Sequence, residues 1–278
     1  SKPQIRFYGT GVKESERVHF YDRVGTGASS YKVDSTSAEP ILDRGIIYNA
    51  TEESMIPVNF VDLYNQANNS ANGYVFDGPT TIVIDGKDMY ITNELKSWES
   101  QKITIPNNGI VYVKTTTVPG HYVEKQVWVP KLTYWPYTAA HWETQQVWIP
   151  GGTYTGDLIV KGPNGLDGKL TLVVENNITV ADHIRYKKNP QTNTSSTDTL
   201  GLIAKKDVIV GTDAPNKAPN NLEIYAHIIA VEGGFGVHKY NQGSARGTLT
   251  VFGGIANKIR KAVGQTTPTG YVKKYIFD

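Results

Sequence analysis

Trp128, Trp135, Trp142 and Trp148 are four of the five tryptophans in the chain, and Tyr122, Tyr134 and Tyr137 are interleaved with them. Rings gathered this tightly can do one kind of chemistry well. An exposed indole or phenol face stacks on the C–H face of a sugar ring, and both surfaces lose water on contact. If the rings are exposed and coplanar, they make a platform for polysaccharide or for another partner. If they are covered, they are a flap held over the body by cross-strand aromatic pairing, which needs no ligand. The residue types alone leave both readings open.

The elements that carry these rings are legible. HYVEKQVWVP at 121–130 is echoed by HWETQQVWIP at 141–150, at an offset of 20 residues. In the first copy Val123, Lys125, Val127 and Val129 alternate with Glu124, Gln126 and Trp128. Alternation of this kind marks a strand with two unlike faces. Two such strands joined by a Pro-containing loop predict a ribbon at about 118–152. His121 and His141 occupy equivalent positions and could face each other. A bare histidine pair is a poor metal site, so no cofactor or metal is assigned.

Around the ribbon, short apolar runs rich in β-branched residues are each bounded by turn residues. They include Thr81-Ile82-Val83-Ile84, Ile110-Val111-Tyr112-Val113 and Leu170-Thr171-Leu172-Val173-Val174. Several come in close succession: 170–174 with 178–180, 202–204 with 208–210, 222–225 with 228–230. The groups recur at roughly 20–30 residues, the spacing of coiled β repeats. The short links lack the Asn-Gly and Asp-Gly signatures of hairpins, which favours coils over a hairpin sandwich. Ala204, Ala226, Ala230 and Gly253 are small enough for a narrow interior.

The expected architecture is therefore mostly β: a right-handed β-helix (β-solenoid) over 75–278 with the aromatic ribbon inserted. A small N-terminal subdomain, 1–74, is the least regular part. It contains one helix at 56–68, read from Ile56, Phe60, Leu63, Tyr64 and Ala67 on one face, with Pro57 in the first turn. This helix is expected to cover one end of the coil stack and the segment 255–278 the other, the latter as strand.

Composition narrows the function classes. Net charge is +2, giving no global pull toward nucleic acid or an anionic membrane. With Cys 0, disulfides and thiolate metal sites are excluded. No apolar run is long enough to span a bilayer as a helix. A polysaccharide lyase would need clustered carboxylates and a nearby base; Asp182, Asp198 and Asp207 could approach one another on stacked coils beside Arg185. Such residues more often decorate turns, and a lyase is the least favoured alternative. Lys258, Arg260, Lys261, Lys273 and Lys274, with Tyr271 and Tyr275 between them, could grip nucleic acid, although a solvated face is the simpler reading. Gly233-Gly234-Phe235-Gly236 lacks the Lys-Ser/Thr of a phosphate loop and reads as a coil corner.

The motifs ITVADHI at 178–184, DTLGLIAKKDV at 198–208, AHIIA at 226–230, GGFGV at 233–237, RGTLTVFGGI at 246–255 and GYVKKYIFD at 270–278 carry a resemblance. So, more loosely, does Tyr74 to Val113 with IPNNGIVYV at 105–113. On these residues the C-terminal half resembles an uncharacterised domain family of bacterial proteins with type IV pilin-like anchors. The resemblance implies a non-enzymatic ectodomain, displayed outside the cell behind a membrane anchor that is not part of this sequence. The aromatic ribbon and the first 50 residues depart from the family pattern. In general character the chain is also similar to the tapirins, cellulose adhesins with a β-helix core and exposed aromatics. The expected role is attachment at the cell surface, with insoluble polysaccharide or neighbouring copies of the chain as partners. Tyr122, Tyr134, Tyr137, Trp128, Trp135, Trp142 and Trp148 are the expected binding residues, and no residue is assigned a catalytic role.

Overall fold

The computed structural model describes residues 57–69, 72–131, 139–190, 192–193, 195–265 and 269–276, and in the N-terminal part residues 5–7, 13, 19–20, 24–25, 29–33, 35–36 and 39–49. The chain forms two compact units, Ser1–Pro57 and Val58–Asp278.

In the first unit the described residues form short strands: β1 (Ile5–Phe7), β2 (His19–Phe20), β3 (Val24–Gly25), β4 (Tyr31–Val33), β5 (Ile41–Leu42) and β6 (Ile46–Ile47). They pair in parallel as β1/β4, β2/β5 and β3/β6. A second pass of the chain thus lies beside the first, in the same order and direction.

The second unit opens with helix α1 (Phe60–Ala67). The sequence pattern starts it at 56. The structure starts it later because Asn59 caps it: its side-chain oxygen accepts from the Val61 and Asp62 N–H groups at 3.1 and 3.2 Å. Pro57 precedes the cap, and Ile56 lies outside the described residues. Asn59→Ala is expected to cost about 1 kcal/mol of stability, read as a small shift of the urea midpoint with unchanged slope.

The strands that follow are β7 (Tyr74–Asp77), β8 (Thr80–Asp85), β9 (Asp88–Asn93), β10 (Trp98–Thr104), β11 (Ile110–Lys114), β12 (Thr116–Val118), β13 (His121–Val129), β14 (His141–Ile149), β15 (Gly152–Tyr154) and β16 (Leu158–Leu166). Then come β17 (Lys169–Val174), β18 (Ile178–Tyr186), β19 (Thr199–Ala204), β20 (Val208–Val210), β21 (Glu223–Tyr225), β22 (His227–Ala230), β23 (Phe235–Val237), β24 (Ala245–Phe252), β25 (Ile255–Asn257) and β26 (Gly270–Ile276). The protein is mostly β.

Two sheets form the body. One has the order β25-β22-β19-β17-β11-β7, and its neighbours are all parallel. The other runs β10-β9-β8-β16-β18-β21-β24-β26, with β20 beside β18 and β23 beside β20. Only β8, β9 and β10 are antiparallel within it. Strands close in sequence lie in different sheets: β17 leads to β18, β19 to β20, β21 to β22. The short links are therefore corners and not hairpins. A hairpin sandwich needs antiparallel neighbours along the body, and these are parallel.

Register explains the burial. Leu158, Ile178, Val208 and Phe235 are successive partners along one line, and Val160, Val180, Val210 and Val237 along the next. On the facing sheet Phe76, Val113, Val174, Ala204 and Ala230 form a third line. All of these are buried in one continuous core. Each rung adds side chains above those of the previous one, so truncating any of them leaves a cavity that its neighbours cannot fill.

Helix α1 lies on the outer face of the six-stranded sheet and does not cover its end. Val111 and Val113 of β11 point into the main core, while Tyr112 between them packs with Val173, Ala67, Leu63 and Tyr64 in a second cluster. Alternate residues of a strand face opposite ways. A strand covered on both faces reads as an unbroken apolar run, which is why 110–113 does not alternate. In the segment after 255, expected as strand, β25 and β26 are strands, while the described residues between them, 258–265 and 269, are not.

One corner is built from polar side chains. The Asn177 N–H donates to Asp157 Oδ1 at 3.1 Å, the Asp207 N–H to Asn177 Oδ1 at 3.2 Å, and the Gly234 N–H to Asp207 Oδ1 at 2.8 Å. Each side chain satisfies a backbone donor of the next rung that a corner would otherwise strand. Burial pushes the Asp157 carboxyl up, but hydrogen bonds from Thr155, Asn176 and Asn177 outweigh it and hold it below 3.8. A depressed carboxyl contributes stability above its unfolded pKa and loses it as pH falls through the folded value. Asp157→Asn should therefore flatten the loss of thermal stability on acidification below about pH 4; an unchanged acid limb would count against this role.

Candidate ribbon binding face

Strands β13 and β14 form an antiparallel ribbon with nine partners in unbroken register, from His121↔Ile149 to Val129↔His141. It rises from a shorter antiparallel stem, β12 with β15. Gly120 sits where stem meets ribbon, and a side chain there would overlap the Trp148 ring. Glycine at this point lets the indole lie on the backbone.

The two faces of the ribbon differ. Tyr122, Glu124, Gln126 and Trp128 share one face with Trp148, Gln146, Thr144 and Trp142, their direct cross-strand partners. The rings on this face are open to solvent: Tyr122 65%, Trp128 49%, Trp142 64% and Trp148 52% exposed. The other face presents Val123, Lys125, Val147 and Ile149. These line a cleft of about 300 Å³ with Thr92, Glu94, Ser97, Trp98 and Glu99. Ile149 is only 2% exposed, and Lys125 Nζ lies 3.4 Å from Glu99 Oε2. The ribbon thus approaches β9 and β10 through Val123, Lys125, Val147 and Ile149, and its rings point to the other side. Sequence reasoning missed Trp98, Glu99 and Ile149; the alternation of β13 and β14 was visible, but not which surface lies beneath it.

The rings of each cross-strand pair are not coplanar, so the condition set for a flat platform is not met. Tyr122 and Trp148 have centroids 4.9 Å apart with planes inclined by 61°, and Trp128 and Trp142 are 5.3 Å apart at 58°. Direct cross-strand partners sit close enough for rings to meet, and ring quadrupoles favour inclined over face-to-face contact. Each pair is an open V. Between the pairs, Gln126 Nε2 donates to Thr144 Oγ1 at 2.5 Å and Gln146 Nε2 to Glu124 Oε1 at 3.1 Å. Tyr134, Trp135 and Tyr137 lie outside the described residues.

His121 and His141 do not face each other. Antiparallel pairing of two equivalent segments sends equivalent positions to opposite ends, so His121 is opposite Ile149 and His141 opposite Val129. Each Nδ1 lies within hydrogen-bond distance of a carbonyl two residues earlier, Pro119 at 2.9 Å and Ala139 at 2.8 Å.

The aspartates do separate structural jobs. Asp198 accepts from the Gly168 and Lys188 N–H groups at 2.9 and 3.2 Å. Asp207 caps the Gly234 corner and pairs with Lys261 at 3.0 Å. Asp182 accepts from the His183 N–H at 2.7 Å, and Arg185 Nε donates to Glu223 at 2.6 Å. Among the described residues no three His, Asp or Glu side chains are grouped so as to hold a metal ion.

The basic C-terminal cluster is also partly spoken for. Tyr271 is buried, its hydroxyl donates to Pro219 O at 2.7 Å, and the Arg246 guanidinium sits 5.0 Å from its ring centroid. That ring is not available to stack on a base. The side chains of Lys273, Lys274 and Tyr275 lie outside those described. No helix among the described residues is long and apolar enough to cross a membrane.

Comparison of the chain with protein-family models, with curated proteins and with solved structures finds no match.

Proposed function

We propose that the chain is a non-catalytic attachment protein of a bacterial cell surface that holds insoluble polysaccharide on the aromatic face of its ribbon. The observation that carries this reading is the sidedness of the ribbon. Val123, Val147 and Ile149 on one face line a cleft against the body, while four aromatic side chains stay exposed together on the other. Large apolar groups grouped on the surface have a use outside the molecule. The body is read as a right-handed β-solenoid, supported by parallel rung-to-rung pairing and by corners that carry the chain from one sheet to the other. On this reading the chain is displayed behind an anchor, as the pilin-like resemblance implies.

Sedimentation with insoluble cellulose and chitin tests the function. Wild-type protein should pellet with at least one of them. Trp128→Ala with Trp148→Ala, which takes a ring from each V, should leave it in the supernatant at an unchanged thermal midpoint. Wild-type protein that ignores both glycans would falsify the reading.

A second reading, self-assembly into an appendage, draws on β25 and β26, which end the two sheets with no further strand partner among the described residues. An unpaired strand edge is a template for another chain. Concentration-dependent sedimentation that survives loss of the ribbon tryptophans would favour it.

A further inference from the structure

The two strands of the ribbon are copies of one another, and their pairing turns that repeat into symmetry. Moving each residue 20 positions along the chain converts Tyr122 into Trp142 and Trp128 into Trp148. The pair Tyr122/Trp148 then becomes the pair Trp142/Trp128, and both are direct cross-strand partners. The polar middle obeys the same rule: Gln126 donates to Thr144, and at the equivalent positions Gln146 donates to Glu124. The face therefore has a local two-fold axis perpendicular to it, with one aromatic V on either side. The two Vs have nearly the same geometry, 4.9 Å and 61° against 5.3 Å and 58°.

We infer that the ribbon is a double clamp for one extended, unbranched, uncharged glycan chain, gripped at two equivalent points. This rests on the polysaccharide reading given above and specifies its ligand. Tyr122 and Trp128 are six residues apart on β13, so at about 3.4 Å per residue the clamps are separated by roughly 20 Å. That span is several sugar units, too far for a disaccharide to touch both. The strip between the clamps carries amides, a hydroxyl and a single carboxylate, and Glu124 already accepts a hydrogen bond from Gln146. It offers hydrogen bonds to sugar hydroxyls and no cation for a uronic acid or sulfated chain. The four rings suit sugar C–H faces at the ends. A side branch between the clamps would meet the polar strip and lift the chain from the rings.

Two clamps on one ligand act through effective concentration: the second engagement is intramolecular and adds affinity with no new kind of contact. The two-fold axis has a further consequence. A glycan chain has a direction, and the clamps are related by reversal, so either orientation of the chain meets one clamp in each sense. The face grips a chain without reading its polarity.

Calorimetry with cello-oligosaccharides, and beside them N-acetylated chito-oligosaccharides, tests this on the whole protein. Wild-type affinity should be weak and flat for the disaccharide and trisaccharide and rise tenfold or more by the hexasaccharide or octasaccharide. Tyr122→Ala with Trp148→Ala removes one clamp, and Trp128→Ala with Trp142→Ala the other. Both variants should bind every length weakly, without the rise, and match each other within a few-fold. Protein that pellets with insoluble glycan but shows no length dependence overturns the double clamp and leaves the attachment reading standing. So does a one-clamp variant that keeps the full rise, or a large difference between the two variants. Wild-type protein that binds no glycan of any length or form loses both. The length dependence of the unaltered protein is itself decisive, so the test does not depend on how well the variants fold.

Discussion

Replacing Ile149 by aspartate should lift the ribbon from the body while the body stays folded. Ile149 is the one described ribbon residue that is almost fully covered, and it shares the underside cleft with Val123, Val147 and Trp98. Burying an isoleucine side chain contributes about 1.5–3 kcal/mol. A carboxylate in its place would lose that and be desolvated without a partner. Glu94 and Glu99 line the same cleft and add repulsion. The stem of β12 and β15 and the rungs β11 and β16 do not depend on this contact. A two-stranded hairpin without support is marginal in water, so the freed ribbon should fray. Hydrogen exchange should accelerate across 121–129 and 141–149 with little change in the body strands, and glycan retention should fall. Lys125→Ala is the comparison. The ion pair with Glu99 is exposed, contributes about 0–1 kcal/mol, and its loss should leave the ribbon seated. Uniform exchange across 121–149 in Ile149→Asp and wild type would show that the cleft does not hold the ribbon.

The second large effect is expected at a corner. A Cβ on Gly234 would overlap the Ile259 carbonyl oxygen and crowd Lys261 Cγ. The backbone cannot retreat. The Gly234 N–H is donated to Asp207 on one side, its carbonyl accepts from Val208 at 3.2 Å, and the Ile259 N–H is bound to Gly233 O at 2.8 Å. Gly234→Ala should therefore cost about 3 kcal/mol or more, at the upper end for overpacking, and lower the thermal midpoint by many degrees. Gly254→Ala is the control at another corner. There the nearest atom to an added Cβ is His227 Nδ1 at 3.5 Å, an ordinary contact, and the change should be nearly silent. Equal destabilisation by the two would mean that the tight stacking of corners is not what glycine serves at 234.

Much of this was legible from the residues. Runs such as 170–174 and 202–204 are strands because β-branched and aliphatic residues fill them, and their short links are corners because no hairpin turn residues are present. The ribbon was legible from the repeat at 121–150. Three things were not. The start of α1 depended on Asn59 accepting two N–H groups, a local capping choice that the apolar spacing does not encode. The strands of 5–47 are two or three residues long, too short for any period to show, so their parallel pairing had no signal. The separation of His121 from His141 and the inclined rings follow from strand direction. The repeat shows that positions are equivalent, but only antiparallel pairing decides that equivalents sit at opposite ends. The aspartates misled for a related reason: sequence spacing lets them converge, while each spends its carboxylate on separate backbone N–H groups, Asp182 on His183, Asp198 on Gly168 and Lys188, and Asp207 on Gly234.

The ribbon and its stem enter between β11 and β16, at a point where the chain passes from one sheet to the other. Both strands keep parallel partners on either side, β17 and β7 for one, β18 and β8 for the other. The body and the ribbon are thus separable along the chain path. A different hairpin spliced into this joint would leave the body's strand pairing intact, so on the attachment reading one body could carry other binding faces as a chassis.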